Sequence, residues 1–209
     1  MTACEEVIVL GAGGHAKVVI STLIRARYKV VSVYDDDPGT WGETCLGIPI
    51  VGGISSLSLQ NQQCAVIAVG HNPTRRSIAN RFPDFQWVTV VHPNADVHPS
   101  VQLAEGVVVF SGAVIQPDTR IGAHTIINTG ATVDHDCLID RYVHLAPGVH
   151  LAGNVRVGEG SFLGIGSSAI PGVNIGVWST IGAGGVVIDN IPDHVIAVGV
   201  PAKILMENK

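Results

Sequence analysis

From Val97 to Val187 an apolar residue returns at every sixth position: Val97, Leu103, Val109, Ile115, Ile121, Ile127, Val133, Ile139, Leu145, Leu151, Val157, Leu163, Ala169, Ile175, Ile181 and Val187. Four residues after most of these stands a compact side chain, such as Ala113, Thr125, Ala131, Cys137, Val149, Ser161 or Ser179. A period of six matches neither a 3.6-residue helix nor a simple two-residue alternation. It predicts a short strand and a turn, repeated, with three such units closing one triangular coil of a parallel β-helix. The register gives about five coils. Glycine often follows the large residue, as in Ile121-Gly122, Leu163-Gly164 and Ile181-Gly182, and is expected at corners where a Cβ would crowd the backbone.

Before the repeat the pattern is different. Glu6 to Leu10 reads as a buried strand running into Gly11-Ala12-Gly13-Gly14-His15-Ala16, and His15 to Arg27 has helical character. A strand from Lys29 to Tyr34 ends in Asp35-Asp36-Asp37; another, Ala65 to Val69, ends at Gly70-His71-Asn72. A helix from Pro73 to Arg81 and a last strand from Gln86 to Val91 complete the segment. This is the opening βαβ of a nucleotide-binding fold: glycines let the backbone approach a phosphate, the helix N-terminus supplies N–H donors, and an acid at the second strand can meet a ribose. Ala16 replaces the third glycine of the dinucleotide fingerprint, so the segment predicts room for a nucleotide rather than NAD. The Gly70 loop should lie beside Gly13-Gly14-His15 at the carboxyl edge of the sheet. Residues 38–53 read as a loop or small hairpin, and the chain beyond Lys203 as a cap or loose tail. The expected architecture is thus an α/β Rossmann-like domain over residues 1–92 and a parallel β-helix over residues 93–209.

Composition narrows the function classes. The chain has 209 residues, of which 46% are apolar and 14% charged, yet every apolar run is broken by Gly, Asp, His or Pro, which excludes a membrane helix. A net charge of −5 without a basic cluster argues against nucleic-acid binding. Glu5 and Glu6 precede the first apolar run, which ends at a glycine loop, so no secretory signal is expected and a cytoplasmic protein is the reading. Cys4, Cys45, Cys64 and Cys137 form no CxxC pair, and reduced thiols are expected, with Cys137 in an inward slot as a core residue rather than a nucleophile.

Within the repeat, the segment from Asn128 to Asp136 is the dense cluster of polar groups. Val133 and Cys137 point inward, so His135 faces outward. With the carboxylate of Asp136 beside it, the imidazole has the parts of a general base, provided that a corner of the coil brings the two neighbours together. Taken alone, the cluster leaves catalysis and a solvated surface histidine equally open. His135, His144 and His150 lie on different parts of the coil without an HxxxH pair, so no metal site is expected. His15 at the glycine loop is a candidate ligand contact; His92, His98, His124, His150 and His194 are expected at the surface.

The hexapeptide repeat, the closing Gly199-Val200-Pro201-Ala202-Lys203, the Gly11-Ala12-Gly13-Gly14-His15 loop and the Asn128-Thr129-Gly130…His135-Asp136 segment together resemble the bacterial sugar O/N-acyltransferases of the left-handed β-helix class. Among these the motifs are most similar to the N-acetyltransferases of nucleotide-linked 4-amino-4,6-dideoxysugars, of the bacillosamine and perosamine type, and to the sialic acid O-acetyltransferases. The resemblance implies left-handed coiling, a homotrimer with active sites at subunit interfaces, and acetyl-CoA as co-substrate without a metal. By motif, His135 would be the base, Asp136 would raise its basicity, and Gly153 would supply a backbone oxyanion donor. His144, Ile165, Gly182 and Ala183 would contact acetyl-CoA; Gly13, Gly14, His15, Asp35, Asp36, Gly70 and Asn128 would hold the nucleotide sugar. The implied reaction is acetylation of the C4 amine of a UDP- or GDP-linked sugar. Sialic acid O-acetylation, a non-catalytic trimeric scaffold and a zinc protein resembling the γ-carbonic anhydrases are the alternatives.

Overall fold

The computed structural model describes residue 4, residues 6–57 and residues 63–207. Glu5, used in the leader argument, lies outside them, as do the last two residues of the tail. In the N-terminal domain, β1 (Glu6–Leu10), α1 (Gly14–Arg25), β2 (Lys29–Tyr34), β3 (Thr44–Cys45), β4 (Ile48–Gly52), β5 (Cys64–Ile67), α2 (Asn72–Arg81) and β6 (Gln86–Trp87) follow in order. They form one sheet in the order β3-β4-β2-β1-β5-β6, parallel throughout except for the β3–β4 hairpin. A parallel sheet with helices on both faces buries successive residues of a strand on opposite sides, and Val7 to Leu10 of β1 show the consequence. Val7 and Val9 pack with Ala16, Val19 and Leu23 of α1, whereas Ile8 and Leu10 pack with Ile78 and Ala79 of α2. The 38–53 stretch contains the expected hairpin, and its second strand also extends the sheet by pairing with β2.

The expected strand from Gln86 to Val91 divides. Gln86–Trp87 closes the N-terminal sheet, and Val90–Val91 opens the β-helix by pairing with Val108–Val109. The helix has three flat faces of two-residue strands, each pairing with the strand 18 residues later, as in Val108↔Ile126, Thr132↔His150 and Leu138↔Arg156. Face one carries Ile126–Ile127, His144–Leu145, Phe162–Leu163 and Thr180–Ile181; face two carries Thr132–Val133 and His150–Leu151; face three carries Leu138–Ile139 and Arg156–Val157. The large residues of the six-residue register fill the centre, with Val109, Ile127, Val133, Leu145 and Ile181 fully buried. Hydroxyls in the compact slots answer the carbonyls of the next corner: Thr125 Oγ1 donates to Asp140 O at 2.7 Å and Ser179 Oγ to Pro192 O at 2.7 Å.

Corners follow two rules. A Cβ on Gly164 would stand 2.6 Å from the backbone nitrogen of Ala183 in the next coil, the crowding that the repeat predicted. A second position, at every sixth residue through Gly130, Asp136, Tyr142, Gly148, Asn154 and Gly160, holds left-handed φ. The sequence reading missed it because only some of these residues are glycine. The tail is also more ordered than expected: Lys203–Glu207 pairs antiparallel with Val195–Val198, giving the last coil an edge strand in place of a loose end.

The two domains share a core. Val108, Phe110 and Ile126 on face one pack among Ala16, Val19 and Val88, which explains why outward positions of the repeat are apolar there. Arg75 of α2 is buried at this junction and donates to the carbonyls of His124 (2.7 Å), Tyr142 (2.7 Å), Val69 (3.1 Å) and Gly70 (3.2 Å) and to Asn72 Oδ1 (2.8 Å). Burial lowers its pKa to about 9, still far enough above neutrality to keep the guanidinium charged. Two sequence expectations fail at this level. His92 and His124 are buried rather than exposed, His124 because it stacks on Tyr142 at 5.4 Å beneath the first domain. Cys4 and Cys64 are joined in a disulfide, which overturns the reading of four reduced thiols. Their spacing of 60 residues gave no pattern; the pairing comes from Cys64 opening the strand beside β1. Cys45 and Cys137 are free and buried, and burial pushes the Cys137 thiol up to about 11, as a core residue requires.

Candidate active site

Three groups of candidate residues occupy three places. At the corner between faces two and three, Asp136 has φ +59°, a left-handed geometry that aspartate tolerates and that turns its carboxylate back onto its neighbour. His135 Nδ1 lies 2.7 Å from Asp136 Oδ2, and Asp134 Oδ1 accepts from the His135 backbone N–H at 2.8 Å. The carboxylate places the ring proton on Nδ1, leaving Nε2 with a free lone pair and no hydrogen bond among the described residues. The Asp136 hydrogen bond raises the His135 pKa above its ordinary value, and Asp134 adds to it. Buried Gly153 lies under the ring: a Cβ there would stand 2.6 Å from His135 Cε1 and Nε2.

The corner between faces one and two holds Asn128, Ile165, Gly182 and Ala183, with Ile165 63% exposed. His144 lies just inside it, on face one, under the N-terminal domain. Its Nδ1 is 3.1 Å from the carbonyl of Gly70 and its Nε2 3.1 Å from Asn128 Nδ2. The Asn128 oxygen accepts from Thr129 N, so its amide group is the donor and His144 is the neutral Nδ1–H tautomer. His15 stands 5.9 Å from the His144 ring and 5.5 Å from Phe110, with Nε2 buried and, among the described residues, unpartnered. Burial, assisted by the charge of Arg75, lowers the pKa of His144 to about 3 and of His15 to about 4.

The third group lies at the carboxyl edge of the sheet. Gly13 and Gly14 are exposed at the start of α1, and a Cβ on either would meet open space. Gly11, Asp35 and Asp36 line a pocket of about 230 Å³ against α2. Asp35 Oδ2 accepts from Ala12 N at 2.6 Å and Oδ1 from Asp37 N at 2.8 Å, so this carboxylate pins the glycine loop. A larger cavity of about 680 Å³ lies on the other side of Gly70, between the start of α2 and face one, where Arg76 covers the Trp178 ring at 4.5 Å.

Sequence reasoning thus finds the polar corner, and the required turn is present. The fold brings His15, Gly70, Asn128 and His144 together, a convergence that sequence order does not display. Sequence reasoning misses Arg75 and Asn72, whose side chains tie α2 to the β-helix; Asn72 Nδ2 donates to Gly160 O at 2.9 Å. A signal existed: residues 72, 75, 78 and 79 make the buried stripe of α2, and two of the four are polar.

Residues 6–82 match the family model of the PglD N-terminal domain. Over 98% of this chain and 99% of the other, the structure is similar, at 44% identity and a TM-score of 0.92, to perosamine N-acetyltransferase from Caulobacter crescentus, crystallised as a histidine-to-asparagine variant with CoA and GDP-perosamine. The acetyltransferase domain of PglB from Neisseria gonorrhoeae in complex with acetyl coenzyme A is 39% identical over 96% of this chain and 99% of its own, with a TM-score of 0.89. UDP-N-acetylbacillosamine N-acetyltransferase from Bacillus subtilis is 44% identical over 115 residues, covering 51% of this chain and 52% of that one. Matches to the curated relatives span about half of their length or less.

Proposed function

Because the chain belongs to the hexapeptide-repeat sugar acyltransferases of the left-handed β-helix class, we propose that it transfers the acetyl group of acetyl-CoA to the C4 amine of a nucleotide-linked 4-amino-4,6-dideoxysugar. The observation that carries the reading is the hydrogen-bonded His135–Asp136 pair with Nε2 left open. His135 Nε2 takes a proton from the amine as its nitrogen bonds to the thioester carbonyl carbon. The backbone N–H of Gly153, beneath the ring, faces the developing oxyanion. When the C–S bond breaks, the imidazolium returns the proton to the departing thiolate, so His135 ends neutral and needs no covalent intermediate. The nucleotide is held by the N-terminal domain, where Gly13 and Gly14 open α1 and Asp36 lines the adjoining pocket.

His135 and the acetyl-CoA-contacting candidates Ile165, Gly182 and Ala183 stand on different corners of the β-helix, separated by a six-residue side of up to roughly 20 Å and by at least one coil along its axis. One copy therefore supplies the base and another the acyl-CoA groove, and closure of that arrangement around a threefold axis gives the homotrimer. Exposed Ile165 and Ile188 offer apolar contact for a pantetheine arm.

Acetyl transfer from acetyl-CoA to UDP- and GDP-linked 4-amino sugars, with a sialic acid as the hydroxyl comparison, tests the reading. Turnover on the amino sugars alone, lost in His135→Ala, is expected. Full activity of that variant removes His135 from the mechanism, and acetylation of the sialic acid instead moves the protein to the O-acetylating branch.

A further inference from the structure

The pocket at the carboxyl edge carries more chemistry than a ribose contact needs. Asp35, the acid closest to the glycine loop, has both oxygens committed to backbone N–H groups. Asp36 is exposed; its Oδ1 accepts from Ser55 N at 3.2 Å, and its carboxylate keeps acceptor capacity toward the pocket. Opposite stands α2, whose residues Ser77 and Arg81, one turn apart, line the same space with a hydroxyl and a guanidinium. Ile54, Val69 and Ile78 add apolar surface to the lining. The lining therefore combines a carboxylate, a guanidinium, hydroxyls and aliphatic side chains around one small space.

We propose that this slot selects guanine, with Asp36 reading its N1–H and N2–H donors and Arg81 its O6 and N7 acceptors, so that the sugar carrier is a guanosine diphosphate. Guanine is the base whose edge offers two adjacent donors to a carboxylate next to acceptors that suit arginine. Uracil presents a single N–H flanked by carbonyl oxygens, so a carboxylate that meets the N–H also faces a carbonyl. Adenine places its ring acceptor where guanine carries N1–H. Trp41, whose indole N–H donates to Asp35 O at 2.8 Å and whose ring approaches the same Gly53 site as Asp36 Oδ1, provides an optical reporter beside the slot.

The inference rests on the nucleotide-sugar reading, and the test separates the two. The full chain is titrated with GDP, UDP and ADP, without acetyl-CoA, by calorimetry and by tryptophan fluorescence. GDP is expected to bind about tenfold tighter than UDP or ADP. Asp36→Asn keeps an oxygen for Ser55 N and preserves the fold, yet should weaken GDP about tenfold while changing UDP less than about twofold; Arg81→Gln should act in the same direction. Equal or tighter binding of UDP overturns the proposal, as does a parallel loss of GDP and UDP in Asp36→Asn, which would assign that carboxylate to the ribose. If a UDP-linked amino sugar is acetylated as well as its GDP counterpart, base selection fails while the acetyltransferase reading stands. If none of the three nucleotides binds, both fail.

Discussion

Two histidines in this protein carry the same proton on the same ring nitrogen and do opposite things with the other. His135 and His144 are both Nδ1–H tautomers, one held by the Asp136 carboxylate and one by the Gly70 carbonyl. His135 stands half-exposed on a corner, and its carboxylate neighbour raises its pKa. His144 lies under a domain beside His15 and Phe162, where burial, assisted by the charge of Arg75, holds its pKa near 3, and Asn128 already occupies its Nε2. The first ring can cycle a proton; the second is a fixed, neutral member of a wall. What distinguishes a base from a structural histidine is the group facing Nε2 and the sign of the surrounding field, not the residue type.

The largest way to break this contrast is substitution of both rings. His135→Gln should lower kcat by about 10²–10⁴-fold with little change in thermal stability, since the ring is exposed and makes one side-chain contact. His144→Gln should do the reverse, costing about 1–3 kcal/mol of stability by leaving the Gly70 and Asn128 groups poorly paired. Turnover and urea melts on the two variants decide it; equal losses of turnover at unchanged stability would merge the two roles.

Acid should separate the regions next. His15, His124 and His144 are held near 4, 4 and 3 in the fold, below the value of 6.5 they take when unfolded. The unfolded chain therefore binds more protons in that window, and stability present above pH 6.5 is lost as pH falls toward about 4. The combined loss is on the order of 10 kcal/mol by pH 4. His124→Asn, which suits the left-handed φ of +56° at that position, should flatten the loss when urea midpoints are followed from pH 7 to pH 4. An unchanged slope would take His124 out of the acid-sensitive junction.

The sequence exposes these two regions unequally. A six-residue register states which side of each coil faces inward, because burial in a stacked solenoid repeats with the chain; that is why the outward placement of His135 was legible. The wall around His144 is built from residues far apart in sequence: Gly70 and Arg75 come from the first domain, Asn128 and Phe162 from neighbouring coils. No periodicity links them. The disulfide partners and the left-handed corner series were hidden for related reasons, the first a tertiary meeting and the second a backbone state shared by Gly, Asp, Asn, His, Tyr and Trp.

A smaller effect probes the floor beneath His135. Gly153→Ala places a methyl 2.6 Å from the ring's Cε1 and Nε2, so the ring must swing outward to accommodate it. A displacement of that size should reduce kcat by roughly 10- to 100-fold, with the Tm nearly constant because the ring is free to move into solvent. Wild-type turnover in Gly153→Ala would mean that the ring position seen here is not the working one.

The most delicate prediction asks whether Asp136 tunes the base or only stands beside it. A histidine whose pKa is raised is protonated over more of the acidic range, so the wild-type rate should climb with pH through an inflection above 6.5. Asp136→Asn removes the charge and leaves an amide oxygen for Nδ1–H, so the inflection should fall toward the ordinary value. The variant then has more neutral base than the wild type at low pH and a weaker one at high pH. Ionisation of the sugar amine is common to both enzymes, so it cancels in the ratio of variant to wild-type kcat/KM. That ratio should rise steadily as pH is lowered, by a few-fold in all. A flat ratio with a uniform loss would give Asp136 the role of orienting the ring alone, and a flat ratio near one would dissolve the contrast between the two histidines at its electrostatic root.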